Sequence, residues 1–519
     1  MKKRTFKNFS YLLTCFMALA TISSCTDLDL IVEDSIVSEG SGGGFTGVEN
    51  PSQSLTNIYN QIIGIYASQE NTYALAEVTS DEYLVPTRGT DWGDNGIWRQ
   101  LHLHSWDPTH FFVLNVWNQW NQLAFACNEL IDSRSNASAQ QVAEAKFVRA
   151  FAIWQILDHF GQVPFREVDE GPDVNPKVLS STEALDLVLS DLDAAIPDLP
   201  SVGPNGATSR ASKAAAYFLK ARVLLNAGIY RGGTSPDAAD MPGVITAVDA
   251  ITAEGYSLHD GYFEMFDGTA NSERVFWTNA EVNHKMWKGL HYSQAHPENG
   301  GGGWNGFTTL ASFYDLFEGN PNSNYVGDGQ EERRGWVPDA TTANGENNGF
   351  GFGFLIGQQY DASGAPLAAR GGRTLAFTRE LPGLIGNNDI TGIRVLKYSP
   401  GNGDEFGLYT GQIIFRYSDA YLMKAEAMMR SGSDVTAMVN TLRTLRKAQP
   451  LGSVTESDML AERGRELYDE YVRRMDLIRF NKFADTWEFK NNTDNTKRLF
   501  PIPTNAILSN PNLVQNPGY

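Results

Sequence analysis

The chain has 519 residues, is 42% hydrophobic and 11% aromatic, and carries 61 acidic against 41 basic residues, a formal charge of −20. So acidic a chain is ill suited to nucleic acid, whose binding depends on neutralising phosphates. The same charge repels strongly anionic polymers unless a local basic patch overrides it.

Lys2, Lys3, Arg4 and Lys7 precede the short apolar run "YLLTCFMALATI", the layout of a secretory signal, too short to cross a bilayer comfortably. The segment ends in "ISSC", small residues directly before Cys25, which resembles a bacterial lipobox. Residues 1–24 are therefore read as a lipoprotein signal peptide and Cys25 as the lipidated first residue. Without the signal, 37 basic residues face 61 acidic ones, a balance of −24. Residues 25–50, acidic and then glycine-rich, read as a flexible tether. Cys15 leaves with the signal, so Cys127 is the one thiol of the body and no internal disulfide is expected. Its setting, "QLAFACNEL", is an apolar helical run, which predicts a small core residue.

The stretch "TRGTDWGDNGIW" sets Trp92 and Trp98 among Gly89, Gly93, Gly96 and Asp94-Asn95, a turn-rich composition with no helix or strand to carry the rings inward. The rings either plug the edge of a core or form a flat platform for a ligand. His102, His104 and His110 follow. In an extended segment the first two would share a face, but no carboxylate or thiolate partner stands at suitable spacing, so they read as surface histidines and no metal site is predicted.

Helices begin to dominate at "AEAKFVRAFAIWQILDHFG". Ala145, Val148, Ala152 and Ile156 share one face and Phe147, Phe151 and Trp154 a second, as in a helix packed between neighbours, with Gly161 as its stop. In "SSTE", Ser180 and Glu183 form a capping box before a helix that stops at Pro197. The small, apolar "ASKAAAYFLKARVLLNAG" predicts close helix packing up to Gly228. From about His284 to Phe406 the chain is rich in glycine and asparagine with interleaved aromatics, an ordered loop-rich layer. Helices return in "FRYSDAYLMKAEAMMRSG", "AMVNTLRTLRKA" and "ESDMLAERGRELYDEYVRRMDLIRF". In the last, Leu460, Leu467, Tyr471, Met475 and Ile478 make the buried stripe, and Asp469–Arg473 and Glu470–Arg474 are spaced as helix ion pairs. The final "LFPIPTNAILSNPNLVQNPGY" is too rich in proline for a helix or central strand.

The chain has no HExxH, GxSxG, phosphate-loop or CxxC motif, so no catalytic residue and no cofactor is predicted. A sugar ring has an apolar C–H face and a hydroxylated rim, and asks for a flat aromatic beside planar polar groups. Trp92, Trp98 and Trp304 with Tyr292, Arg88, Asp91, Asn95 and Asn305 offer that mixture.

Five pieces in order, "AEAKFVRAFAIWQILDHFGQVPF", "RASKAAAYFLKARVLLNAG", "FRYSDAYLMKAEAMMRSG", "ERGRELYDEYVRRMDLIRF" and "PIPTNAILSNPNLVQNPGY", resemble the SusD/RagB family of nutrient-binding outer-membrane lipoproteins. "EVTSDEYLVPTRGTDW" extends the match towards the N-terminus. The resemblance implies a mainly α fold, an α superhelix of tetratricopeptide-like helix pairs supporting a loop-rich ligand face. It implies a single body over 51–519, with an N-terminal helical half at 51–270 and a loop-rich and C-terminal half at 271–519. It also implies a surface-exposed lipoprotein that binds a glycan and passes it to a TonB-dependent SusC-like transporter, with no enzymatic activity. In the family, ligand is held by the loop after the "SDE" element and by a mid-chain segment, which here match Arg88–Trp98 and Tyr292–Asn305. Peptide capture on the same scaffold, or a lipid-anchored enzyme, stays open.

Overall fold

The structure is a computed structural model describing residues 44–295, 302–401 and 410–519. The signal-like segment, Cys25 and the tether as far as residue 43 lie outside the described residues. Phe45–Tyr519 forms one compact unit.

The fold is mainly α. After Pro51–Tyr66 (α1), Thr72–Glu77 (α2) and Ile97–Leu103 (α3) comes a series of long helices: Phe111–Ile131 (α4), Ala139–Phe160 (α5), Ser181–Ala195 (α6), Lys213–Tyr230 (α7) and Met241–Ala253 (α8). Each of α4 to α8 packs on the next, and α8 packs on Tyr417–Arg430 (α9), the stacked-pair arrangement of a tetratricopeptide-like superhelix. Both predicted faces of α5 are buried: Ala145, Val148, Ala152 and Ile156 on one side, Phe147, Phe151 and Trp154 on the other. Gly161 closes α5 in the left-handed conformation at φ 70°, and Ser180 and Glu183 cap α6 reciprocally. Cys127 is fully buried in α4, and burial pushes its thiol pKa up.

Gly228 does not end α7, which runs on to Tyr230. A Cβ there would lie 2.6 Å from the Ser235 carbonyl oxygen, so the glycine serves close backbone approach rather than termination. The C-terminal helices are Thr436–Leu445 (α10), Glu456–Leu467 (α11), Arg473–Arg479 (α12) and Thr504–Ser509 (α13). α13 corrects the expectation that proline excludes a helix there: Pro503 stands just before its first turn, where a missing N–H does no harm.

The single long helix expected over "ESDMLAERGRELYDEYVRRMDLIRF" is two helices. The chain breaks at Tyr468–Val472, where Asp469 and Tyr471 both take φ 64°. The break also dissolves the expected ion pairs. Asp469 faces buried Lys285 and Lys288 and the Tyr73 hydroxyl, while Glu470 accepts from Arg416 at 2.7 Å and pairs with Lys397. Arg473 forks onto Asp81 at 2.6 and 2.7 Å, and Arg474 reaches Asp158 at 3.0 Å. Tertiary charges outbid the i,i+4 partners because burial makes an unpaired charge far more expensive than a lost helical turn.

The described part of the loop-rich layer is ordered by short strands. Within it Phe352–Leu355 pairs with Gly335–Trp336 and with Arg394–Leu396. At its borders Arg274–Glu281 pairs antiparallel with Thr410–Arg416, which runs straight into α9. Tyr83–Leu84 pairs with Thr308–Thr309. This small ladder sets the chain entering 87–98 beside the chain leaving 302–305.

Candidate ligand-binding site

Just beyond that ladder the two loops meet. The Trp92 indole N–H donates to the Trp304 carbonyl at 2.9 Å. Trp92 itself takes φ 58°, and its ring lies on the Gly306 backbone, where a Cβ would stand 2.3 Å from Cε2. On the other loop a Cβ at Gly303 would stand 1.8 Å from the Leu290 carbonyl oxygen, so glycine lets the two strands of that loop touch. Trp304 follows with its side chain turned outward, 37% exposed.

The loops enclose a shallow cavity of about 490 Å³ whose wall includes Trp92, Trp304, Tyr292, Asp91, Asp94, Glu70 and Arg370. A charged clamp holds one side. The Tyr292 hydroxyl donates to Asp91 Oδ2 at 2.6 Å, and Arg370 Nη1 donates to the same oxygen at 2.7 Å. The Arg370 guanidinium also stacks 3.7 Å above the Tyr292 ring. The Tyr292 hydrogen bond, with Arg370 behind it, holds the Asp91 carboxyl below its usual pKa range. Burial, assisted by Asp91, pushes the Tyr292 hydroxyl up to about 12, so it remains a donor at neutral pH.

The sequence-predicted residues divide. Trp92, Trp304, Tyr292 and Asp91 come together on the cavity wall, whereas Asn95, exposed at φ 51°, is not among its lining residues. Trp98 does not stay on a loop: it is the second residue of α3, 2% exposed. Its ring packs on Phe112, Phe307 and Trp92 at 4.9, 5.3 and 5.8 Å, and its N–H donates to Asp94. It is the floor under the cavity rather than an open platform, because α3 starts immediately after Gly96 and turns the indole inward. Arg88 is buried, donating to the carbonyls of Asn388 and Thr391 at 2.9 and 2.7 Å. Asn305 is fully buried, accepting from Arg394 and donating to the Asp389 carbonyl. Both fasten the two loops to the 387–394 segment, and neither presents a polar group to a ligand.

Sequence reading missed Glu70, Asp94 and Arg370 as cavity residues. Arg370 stands 279 positions from Asp91, so no local spacing could announce their contact. The histidines are corrected too. His102 and His104 are buried, each turned to a carbonyl, Glu488 at 2.7 Å and Thr79 at 2.8 Å, and His110 meets the Ile97 carbonyl at 3.1 Å. They tie α3 and its flanks to neighbouring turns and to the start of α4 instead of facing water. Among the described residues no group of His, Cys, Asp or Glu converges as a metal site, and no helix is long and apolar enough to cross a membrane.

Comparison with known proteins adds the decisive observation. Residues 272–519 match the model of the SusD family, and residues 48–225 match a SusD-like family described as starch-binding and associating with the outer membrane. The chain belongs to the SusD family. This family member is 27% identical to the starch-binding protein SusD of Bacteroides thetaiotaomicron over 494 residues, 86% of this chain and 85% of that one. It is 24% identical to a SusD-like protein of Formosa agariphila along the whole of both chains. Among solved structures, a SusD-like protein from Bacteroides fragilis shares its fold with TM-score 0.69 at 20% identity, over 92% of this chain and 98% of that one. Surface glycan-binding protein A from Bacteroides thetaiotaomicron, solved with laminarihexaose, gives TM-score 0.65 at 17% identity, over 91% and 100%.

Proposed function

We propose that this SusD-family chain is a surface-exposed, lipid-anchored outer-membrane protein that binds oligosaccharide or polysaccharide and delivers it to a TonB-dependent SusC-like transporter, without catalysing a reaction on it. The observation that carries the binding step is the cavity of about 490 Å³ walled by Trp304 and Trp92, with Asp91, Tyr292 and Arg370 on its rim. An exposed indole covers the C–H face of a sugar ring, while carboxylate, phenol and guanidinium meet its hydroxyls. The clamp is formed before ligand arrives, so little ordering entropy is lost on binding. The names of its relatives, starch-binding and surface glycan-binding, support the ligand class, and the family description supports outer-membrane association. Residues 1–24 as signal, Cys25 as the acylated residue and a tether that ends before Phe45 complete the reading. The tether stops short of residue 50 because the Phe45 carbonyl accepts from Arg134 at 2.8 Å and the Val48 amide donates to Ser135 at 3.1 Å, so 45–50 already belong to the body.

The test is calorimetric titration of the protein lacking residues 1–25 against a panel of polysaccharides. Saturable binding to at least one glycan, weakened about thirtyfold in Trp304→Ala, is the expected result. A folded protein that binds peptides but no glycan would replace this function with peptide capture.

A further inference from the structure

The charges around the cavity point beyond glycan binding in general. Among the described residues its wall carries three carboxylates, Glu70, Asp91 and Asp94, against one cation, Arg370. Arg370 is already engaged by Asp91 at 2.7 Å and by the Tyr292 ring, so its charge answers that carboxylate and leaves no surplus. Among the described residues neither Glu70 nor Asp94 has an ion-pair partner. They stand near enough that Asp94 adds to burial in raising the Glu70 carboxyl pKa. The nearby cations are turned to other partners: Arg88 to loop carbonyls, Arg99 to Thr87 and the Gly93 carbonyl, Arg373 to Asp389. His291, behind Tyr292, has its pKa pushed down to about 4 chiefly by burial, so it adds no charge at neutral pH.

We infer that this cavity takes uncharged saccharides and rejects uronate- or sulfate-bearing ones, with Glu70 and Asp94 as the residues that set the preference. The inference rests on the glycan-binding reading. Ionised carboxylates only accept hydrogen bonds, so sugar hydroxyls can satisfy them and anionic substituents cannot. Glu70 is half-buried, which keeps its repulsion from being fully screened, while Asp94 is exposed and adds to it from the rim. The acidity of the whole chain contributes at long range. Rejection of this kind yields specificity without any added contact to the preferred ligand.

Starch, laminarin and galactan are each to be titrated beside their own C6-carboxylate derivatives, which keep backbone and linkage and change only charge. Wild type is expected to bind at least one neutral polymer and its oxidised partner at least about tenfold more weakly, a gap of about 1.4 kcal/mol. The double variant Glu70→Gln/Asp94→Asn should narrow that gap, as should raised salt. Asp94→Asn retains an acceptor for the Trp98 indole, so loss of folding is not the expected cause of any change, and a melting curve for each variant checks this. Equal or tighter binding of the oxidised polymer by wild type, or a gap unchanged in the double variant, overturns the inference while glycan binding stands. Failure of folded wild type to bind any neutral or oxidised polymer overturns both.

Discussion

Trp304 and Trp98 look alike in sequence, tryptophans near glycines, yet one is 37% exposed and the other 2%. Their alanine variants should therefore part company. Trp304→Ala is expected to weaken glycan binding about thirtyfold, the effect of losing about 2 kcal/mol at a hot spot, with an unchanged melting temperature. Trp98→Ala removes a ring packed on three aromatics and is expected to lower stability by about 3–5 kcal/mol. Calorimetric titration beside denaturant unfolding separates the two. If Trp304→Ala melts early and what remains folded still binds, the ring is structural. Trp92 sits between these extremes, half-buried on Gly306 yet lining the cavity, so its loss should register in both measurements.

At the scale of elements, the break between α11 and α12 is the feature with the greatest energetic leverage. Two non-glycine residues at φ 64° are unfavourable on their own, and persist because their surroundings demand it. The Asp469 amide donates to Glu82 at 2.5 Å and the Tyr471 amide to Glu77, fastening the break to the end of α2 and to the "SDE" segment that leads into the Trp92 loop. Burial opposes ionisation of Asp469, but Lys285 and Lys288 outweigh it and hold its carboxyl at about 2. Asp469→Asn keeps the shape and leaves two buried ammonium groups without their counter-ion. A loss of about 3–5 kcal/mol in urea unfolding is expected, the usual consequence of halving a buried ion pair. A variant as stable as wild type would show that the strained break is held by its amide bonds and packing without need of the Asp469 charge.

For the whole molecule, the buried carboxylates set opposite pH limits. Burial, reinforced by Asp469, pushes the Glu77 carboxyl up to about 7. The folded state thus holds that proton more tightly than the unfolded chain, and the stability it brings is complete below about 4.5 and lost as pH rises through about 7. Glu426 and Glu462 behave in reverse. Burial opposes their ionisation, but Arg479 and Arg430 for the first, and Arg333, Arg465 and Arg443 for the second, pull each to about 2. Their contribution is complete above about 4.5 and disappears as pH falls towards 2. Lys288 and Lys397, lowered to about 8, change nothing below that pH. The buried histidines act in the opposite sense to Glu77. Burial holds His102, His104, His110, His159, His284 and His291 below their usual pKa, so their contribution is complete above about 6.5 and is lost as pH falls. Scanning calorimetry should find a lower melting temperature at pH 5 than at pH 7.5 and a steep further fall below pH 4, with the drop from 7.5 to 5 made larger in Glu77→Gln, which lacks the group that resists it. An unchanged slope in that variant assigns the effect elsewhere. At the same scale, Cys25→Ala is expected to move the protein from the detergent phase to the aqueous phase without altering its melting, since the compact unit begins only at Phe45. Retention in the membrane fraction would remove the lipid anchor from the proposal.

The sequence by itself determined the helical class, the two buried faces of α5, the capping box at Ser180, the buried Cys127 and the family. Each of these depends on residues within a few positions of one another, or on the order of such segments along the chain. It also placed the two tryptophan-bearing loops that meet at the cavity, because turn-forming glycines beside tryptophans are a local signal. What it could not settle is which side chains face the cavity. Trp98 turns inward because α3 begins one residue after Gly96, Arg88 and Asn305 disappear into carbonyls some 80 to 300 positions away, and Arg370 arrives from 279 positions away to clamp Asp91. The split of the last long helix has the same origin. Local spacing favoured ion pairs along one helix, but Lys285, Lys288, Arg416 and Asp81 lie beside it only in the folded chain. Local propensities amount to tenths of a kcal/mol per residue, whereas leaving a buried charge unpaired costs several, so the tertiary partners decide.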